Sequence, residues 1–281
     1  MGGEIRQLLR LWGAYARLDL TWFLRDTKYC IYNIIADTVS SLSAIAGVFL
    51  LAEQFGGIGG MDKLQILFML GYATICDGII LMFFSMNNIA WISRLIGRGQ
   101  LDHRLIQPVP LWKQFLTEGF IPVSGNSMLL CGIGITIYAA SQLGLTISGP
   151  WLLQFVFLML CSVAVILSCS FIAGSVAFYA PVAGEEISTT AISLFAALKS
   201  FPLDGLSTAA RTVLCTVLPV GMAAWFPANL LLGLPPAGFP ETLLIILTII
   251  FTLTASTLFR KGMKHYAKNG SIRYADRGHH R

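Results

Sequence analysis

Apolar positions along this chain come in long blocks rather than in the short alternations of a half-buried strand or the one-sided stripes of a surface helix. Five blocks, at about 29–52, 64–92, 115–141, 151–180 and 241–259, reach the roughly 20 mostly apolar residues that a helix needs to cross a bilayer. A further apolar stretch, 187–232, is punctuated by Pro202, Pro219 and Pro227, and proline inside a helix removes a hydrogen bond and crowds the preceding turn. The pattern predicts an all-α, polytopic integral membrane protein: a transmembrane domain over 29–260, an arm over 1–28 and a tail over 261–281, with no room for a soluble domain.

The arm has a different period. At ~100° per residue, Arg6, Arg10 and Arg17 fall on one side, and Ile5, Leu8, Leu9, Trp12 and Ala16 occupy the other. A helix with one basic and one apolar face lies in the membrane interface. The arm lacks the uninterrupted apolar core and cleavage site of a signal peptide. A plain connector is the alternative reading.

Composition agrees with the blocks. Of 281 residues, 56% are hydrophobic and 12% charged, where a soluble domain carries about 25% charged residues; the mean hydropathy is +0.72. The placement of the charge adds topology. Sixteen of the 19 Lys and Arg residues lie in three places: the arm, the segment 94–113 and the tail from Arg260. The loop 53–63 has only Lys63, beside Glu53 and Asp62, and the loop 142–150 has no charge. Positive loops stay inside, so both ends and the segment 94–113 are expected in the cytoplasm and the number of crossings is even. The net charge of +5 reflects this topology and implies no nucleic acid.

Chemical motifs are mostly absent. There is no Gly-Lys dipeptide, hence no phosphate-binding GxxxxGK[ST] loop, and neither H-E-x-x-H nor C-x-x-C occurs. The six cysteines lie in or at the edge of apolar segments, where a free thiol behaves as a small hydrophobe. His279 and His280 read as part of a solvated tail. No catalytic residue, metal ligand or cofactor is assigned to the chain.

Ionisable residues inside spans are costly and usually face the bundle interior or water. Asp77 lies within the second block, beside Thr74 and Gly78; Asp37 lies about two turns into the first, with Asn33 a turn before it and Ser40 and Ser41 after. Two readings fit: Asp77, Asp37 and Asn33 line a substrate path or proton site, or they make structural hydrogen bonds. Glu185 and Glu186 follow Pro181 at an expected cytoplasmic turn.

The segment IGRGQLDHRLIQPVP, 96–110, interrupts the greasiest part of the chain. Gly97 and Gly99 loosen the exit from the second block, Leu101, Leu105 and Ile106 form an apolar stripe with Asp102, His103 and Arg104 between them, and Pro108 and Pro110 end the helix. A short helix of this kind either docks into a groove on a partner or lies flat on the membrane.

Here the sequence resembles a known family. RGQLDHRLIQPVPLWKQ resembles the I-R-x-G-x-L-D-x-x-L-x-x-P-x signature of a bacterial subgroup of ABC-2-type permeases, the membrane subunits of ABC exporters. FGGIGGMDKLQILFMLGYATICDGI is similar to the family's Gly-rich outer loop entering the second span. FPLDGLSTAARTVLCTVLPVGMAAWFPANLLLG is similar to its Pro-punctuated block, and LFRKGMKHYAKNGS to its closing G-x-x-x-Y-x-x-x-G-S. Gln107 stands where the family has Arg, and Met61 where Trp is common.

The resemblance implies six transmembrane helices in a bacterial plasma membrane, pairing with a second permease of the same or a related chain, and separate cytoplasmic ATPase subunits that hold ATP and Mg. The chain itself would be no enzyme. The segment 97–110 would be the coupling helix, with Leu101, Leu105 and Ile106 entering an ATPase groove and Asp102 and Arg104 at its rim; the arm would rest on the ATPase. The cargo would be an amphipathic or hydrophobic small molecule, a lipid or an antibiotic. Two other classes stay open: a membrane-embedded lipid enzyme using Asp37, Asp77 or Glu185 and Glu186, and an ion-coupled carrier using Asp77.

The stretch 187–232 allows two parsings with an even count. In one, 211–232 crosses and Lys199 and Arg211 stay inside. In the other, 187–201 crosses outward, leaving Lys199 near the outer headgroups, and 202–235, with Pro202, Arg211, Pro219 and Pro227, dips back as a re-entrant hairpin. The resemblance favours the second, which places Asp204 and Arg211 outside.

Overall fold

A computed structural model describes residues 2–85, 88–234, 236 and 238–269, and the tail beyond, with His279 and His280, lies outside them. Among the described residues the structure is helical throughout, with no strand. The arm is one helix, α1 (Gly2–Arg25), followed by α2 (Thr27–Gln54) and α3 (Lys63–Ile80). Asp62 caps α3 in a reciprocal box with Gln65, satisfying two amides that a helix start leaves free. A π-helical turn, Leu81–Ser85, extends α3. Three short helices follow: α4 (Ile92–Gly97), α5 (Leu101–Leu105) and α6 (Leu111–Thr117). Then come α7 (Ser127–Gln142), α8 (Gly149–Gly174) with a 3₁₀ turn to Phe178, and α9 (Pro181–Leu198). The last are α10 (Thr208–Thr216), α11 (Trp225–Leu231) and α12 (Leu243–Asn269).

Four of these helices are long and apolar enough to cross a membrane: Thr27–Gln54, Lys63–Ser85, Gly149–Phe178 and Leu243–Asn269; Ser127–Gln142 is a shorter apolar one. At 1.5 Å per residue the 23 residues of the second give about 34 Å, and the 16 of the shorter one only about 24 Å. The expected continuous span over 115–141 is therefore broken. Gly119, Pro122 and Gly125 interrupt it, and the amides released there are taken up elsewhere. Ile121 donates to the carbonyl of Met82 (2.8 Å), and Val123 and Ser124 donate to Asp19. The second block also ends early: Asn88 adopts a left-handed φ of 57°, which Asn tolerates better than most residues, and the chain turns into α4.

α3 is the most enclosed of the long helices and packs against α7. A Cβ on Gly71 would sit 2.9 Å from the amide nitrogen of Thr136, and one on Gly132 2.7 Å from that of Ile75. The two backbones touch because both residues are glycine, the small-residue contact that drives helix association in lipid. The main core lies around this seam and includes Phe68, Tyr72, Trp225 and Phe226. A second core sits at the other end of the bundle, where Ile92, Leu95, Ile96, Leu101, Ala177, Phe178 and Tyr266 meet.

No continuous helix covers 211–232. It holds α10 and α11, of nine and seven residues, separated by turns over 217–224. The chain follows a bent path. Gly205 lies against Gly59 of the loop between α2 and α3, Met222 and Ala223 accept hydrogen bonds from Ser162 and Cys76, and Leu231 accepts one from Trp151 at the start of α8.

Candidate functional site

The segment between α3 and α6 is not the single helix expected over 97–110. Its regular part is α5 alone, and α4 is separated from it by a turn in which Gly99 has a φ of +68°. The three apolar residues of its stripe part company. Leu105 and Ile106 are 46% and 81% exposed, whereas Leu101 is fully buried in the second core. The reason is the turn at 98–100, which carries the first residue of α5 back under α4 and leaves the last two at the tip. The expectation of one exposed stripe is thus corrected for Leu101, which anchors the segment in its own chain.

Polar contacts tie the same segment down. Asp102 accepts a hydrogen bond from the Tyr266 hydroxyl of α12 (2.8 Å). Arg104 forms an ion pair with Glu118, and both side chains are largely buried, so Arg104 is directed inward and is not a rim charge. Burial pulls the Arg104 pKa below its usual value, with Tyr15 of α1 acting the other way. Gln114 donates to the carbonyls of Arg104 (2.9 Å) and Val109 (2.7 Å). Arg98 meets Glu185 of α9 (3.0 Å); Glu185 and Glu186 lie within α9 rather than in the turn expected there, and Glu185 acts as a tether. Gly262 belongs to the same joint, because a Cβ there would collide with the ring of Phe178. The two quoted sequence pieces carrying Leu101–Asp102 and Gly262–Tyr266 are thus one structural unit.

The arm supports this region from the side. Arg6, Arg10 and Arg17 are exposed. The opposite face turns inward only in part: Ile5 and Leu9 remain exposed, whereas Trp12 donates to the carbonyl of Leu116 (2.9 Å) and packs on Phe83 and Phe120. In the middle of that apolar face sits Asp19, 5% exposed, accepting from the amides of Val123 (2.7 Å) and Ser124 (3.2 Å) and from the Ser124 hydroxyl. The sequence reading passed over Asp19; its signal was a carboxylate at the centre of an apolar helix face. Lys113 is also buried, donating to Gln7 (2.8 Å) and facing Glu4 at 3.6 Å.

Within the bundle, Asp77 forms an ion pair with Lys199. Lys199 is 4% exposed, enclosed by protein rather than open to the molecular surface. A lysine at the end of α9 has no apolar position that leaves its charge unpaired at low cost, and Asp77 of α3 supplies the counter-charge. Asp77 also lines a small hollow of about 160 Å³, apolar on one part and polar on the other, where Ser40, Ser41, Thr74 and Ser200 join it. Asn33 and Asp37, expected on the same stripe, lie outside its lining and are half-buried on α2. Of the residues in the Pro-punctuated block, Pro202, Pro219 and Pro227 are buried. Arg211 stacks 5.7 Å from the ring centre of Phe239, and Asp204 accepts from the indole of Trp225 (2.6 Å).

Among the described residues no group of three His, Cys, Asp or Glu side chains gathers as a metal cluster would. An exposed apolar tip stands on a root fixed to α4, α6, α9 and α12, and a separate ion pair, Asp77–Lys199, lies inside the bundle. Neither a curated protein sequence nor a solved structure matches the chain. The model of the ABC-2 family transporter proteins matches residues 39–270, a range that contains the tip, its root and the Asp77–Lys199 pair, and on that match the chain belongs to the ABC-2 family of transporter proteins.

Proposed function

We propose that this permease is the membrane subunit of an ATP-driven exporter. On this reading it moves an amphipathic or hydrophobic small molecule, lipid or antibiotic out of the cytoplasm or the inner leaflet. ATP and Mg are held by separate ATPase subunits, and a second permease, a copy or a related chain, completes the path. The observation that carries the reading is the construction of the segment around α5. Leu105 and Ile106 project as an apolar pair at the tip, while Leu101, Asp102–Tyr266, Arg98–Glu185 and Arg104–Glu118 fix the root to four helices. A tip held this way passes a push from a docked ATPase to α9 and α12 rather than absorbing it by bending.

On the same reading α2, α3, α7, α8, α9 and α12 are the six spans, both termini face the cytoplasm of a bacterial cell, and 202–235 is a re-entrant hairpin. The path of the chain from Gly59 to the depth of Cys76 and back to Trp151 supports it. Backbone that is not helical at that depth is tolerated where protein encloses it, and Met222, Ala223 and Ala224 are fully buried.

The test is co-purification of the ATPase with a chain carrying Leu105→Asp and Ile106→Asp. Both residues are exposed, so folding should be unaffected, and losing the buried anchors of an interface costs about 2 kcal/mol or more, roughly thirtyfold in affinity. The variant should lose its ATPase and its substrate-stimulated ATP hydrolysis. A complex that assembles and hydrolyses as before would overturn the assignment.

A further inference from the structure

A groove of about 560 Å³ runs between α8 and α12, within the roughly 300–1,000 Å³ of sites that take small molecules. The two helices run in the same direction here: Ser168 meets Thr252 (3.3 Å) and Phe171 meets Phe259, with ring centres 5.3 Å apart. The lining on α12 extends from Thr252 to Arg260, about 12 Å of helix. That is close to the ~15 Å of hydrocarbon in one bilayer leaflet. The walls are mostly apolar, and the hydroxyls of Ser168 and Thr252 are already engaged: Ser168 donates to the carbonyl of Ala164 (2.7 Å) and shares a hydrogen bond with Thr252. A polar cargo would find no set of converging partners there.

The mouth is different. Arg260 lies at the end of the groove, is exposed, and among the described residues no carboxylate pairs with it. Lys261, Lys264 and Lys268 follow on the same helix end. Trp112, half-exposed, stands at the same mouth, where an amphipathic ring suits the headgroup level. On the other side of Trp112 and Phe115 is a second apolar hollow of about 180 Å³, which shares Leu167 and Phe171 with the first. Two apolar hollows therefore flank one pair of aromatic rings, with a cation beside them.

We infer that this is a site for one anionic diacyl phospholipid, held with an acyl chain in the α8–α12 groove and its phosphate at Arg260. The length of the groove matches a leaflet, the pair of hollows matches two chains, and the Arg260 guanidinium, which no carboxylate among the described residues pairs, matches the phosphate. The occupant is a resident of the leaflet on the basic-tail side, distinct from any cargo. The inference requires only that α8 and α12 lie in a bilayer, so it stands or falls independently of ATPase docking.

The full chain would be reconstituted into phosphatidylcholine vesicles containing increasing fractions of phosphatidylglycerol brominated on its acyl chains. The Trp112 signal is the difference in fluorescence between the native chain and the Trp112→Phe variant. Quenching of that signal should saturate at a low fraction of the brominated anionic lipid. Arg260→Gln, a change at an exposed residue, should raise the fraction needed for half-quenching severalfold. Bromines carried instead on phosphatidylcholine should quench only in proportion to their share of the bilayer. Equal quenching by the two lipids, or an unchanged midpoint in Arg260→Gln, would show ordinary lipid contact and overturn the site. Absence of quenching by either lipid would show the groove covered by protein and would overturn it equally.

Discussion

Asp77 and Lys199 form a costly arrangement inside the bundle, because two charges stand where water is scarce. Removing one partner leaves the other uncompensated, a loss of about 3–5 kcal/mol when the pair is fully buried. Here the loss is smaller, since a third of the Asp77 side chain is open to the hollow beside it. Asp77→Asn should therefore lower the yield of folded protein, although the amide is nearly isosteric. Asp77→Asn combined with Lys199→Met should recover most of that yield, because exchanging a buried ion pair for neutral groups is often close to neutral. Fluorescence-detected gel filtration of the native chain and the two variants in detergent checks this. A normal yield for Asp77→Asn alone would mean that the pair contributes nothing to folding. The sequence pointed to Asp77 because a carboxylate inside an apolar block stands out. It gave no partner, since Lys199 is 122 positions away and its block had two possible placements.

At the scale of elements, α5 shows how a five-residue helix becomes rigid. Too short to hold its own shape, it borrows order from α4 through Leu101, from α6 through Gln114 and from α12 through Tyr266. Tyr266→Phe removes only the hydroxyl that reaches Asp102. A hydrogen bond to a charged group contributes about 1.5–3 kcal/mol, and the exposure of Asp102 puts this one at or below the lower end. The variant should fold and still bind the ATPase, because Leu105 and Ile106 are untouched. Its stimulated ATP hydrolysis should be less well coupled to transport, read as more ATP consumed per molecule moved. An unchanged ratio would remove the Tyr266 link from the coupling path. The alternation of residues in 96–110 was enough to locate this segment. It could not tell Leu101 from Leu105, because the turn at Gly99 and the aromatic pocket from α8, its 3₁₀ turn and α12 decide which leucine is covered.

For the whole molecule, the proposed topology assigns each helix end to one side of the membrane. Leu206 follows the Gly205 contact with Gly59 and is 42% exposed, and Ile106 at the coupling tip is 81% exposed. Asp204 is the poorer probe, because it holds the Trp225 indole. In a background lacking the six native cysteines, Leu206→Cys should react with an impermeant thiol reagent on intact cells. Ile106→Cys should react only after the membrane is opened. The reverse pattern would invert the topology, and labelling of both only in opened cells would return 202–235 to the inner side.

The amino-acid sequence by itself determined that this chain lies in a membrane, because the length of an apolar block and the clustering of Lys and Arg are local properties that need no fold to read. It also located the arm, whose basic and apolar faces follow from helical period alone, and the polar segment at 96–110. The tertiary structure decided the rest. The third block broke at Gly119, Pro122 and Gly125 because Asp19, 104 positions from Val123, could accept the amides that the break released. The Pro-punctuated block became two short helices around a buried turn because Cys76 and Ser162 met its carbonyls. Each of these outcomes depends on a hydrogen bond or an ion pair between distant positions. The cost of a free polar group inside a membrane makes such pairing obligatory, yet only the packed helices show which partner is within reach.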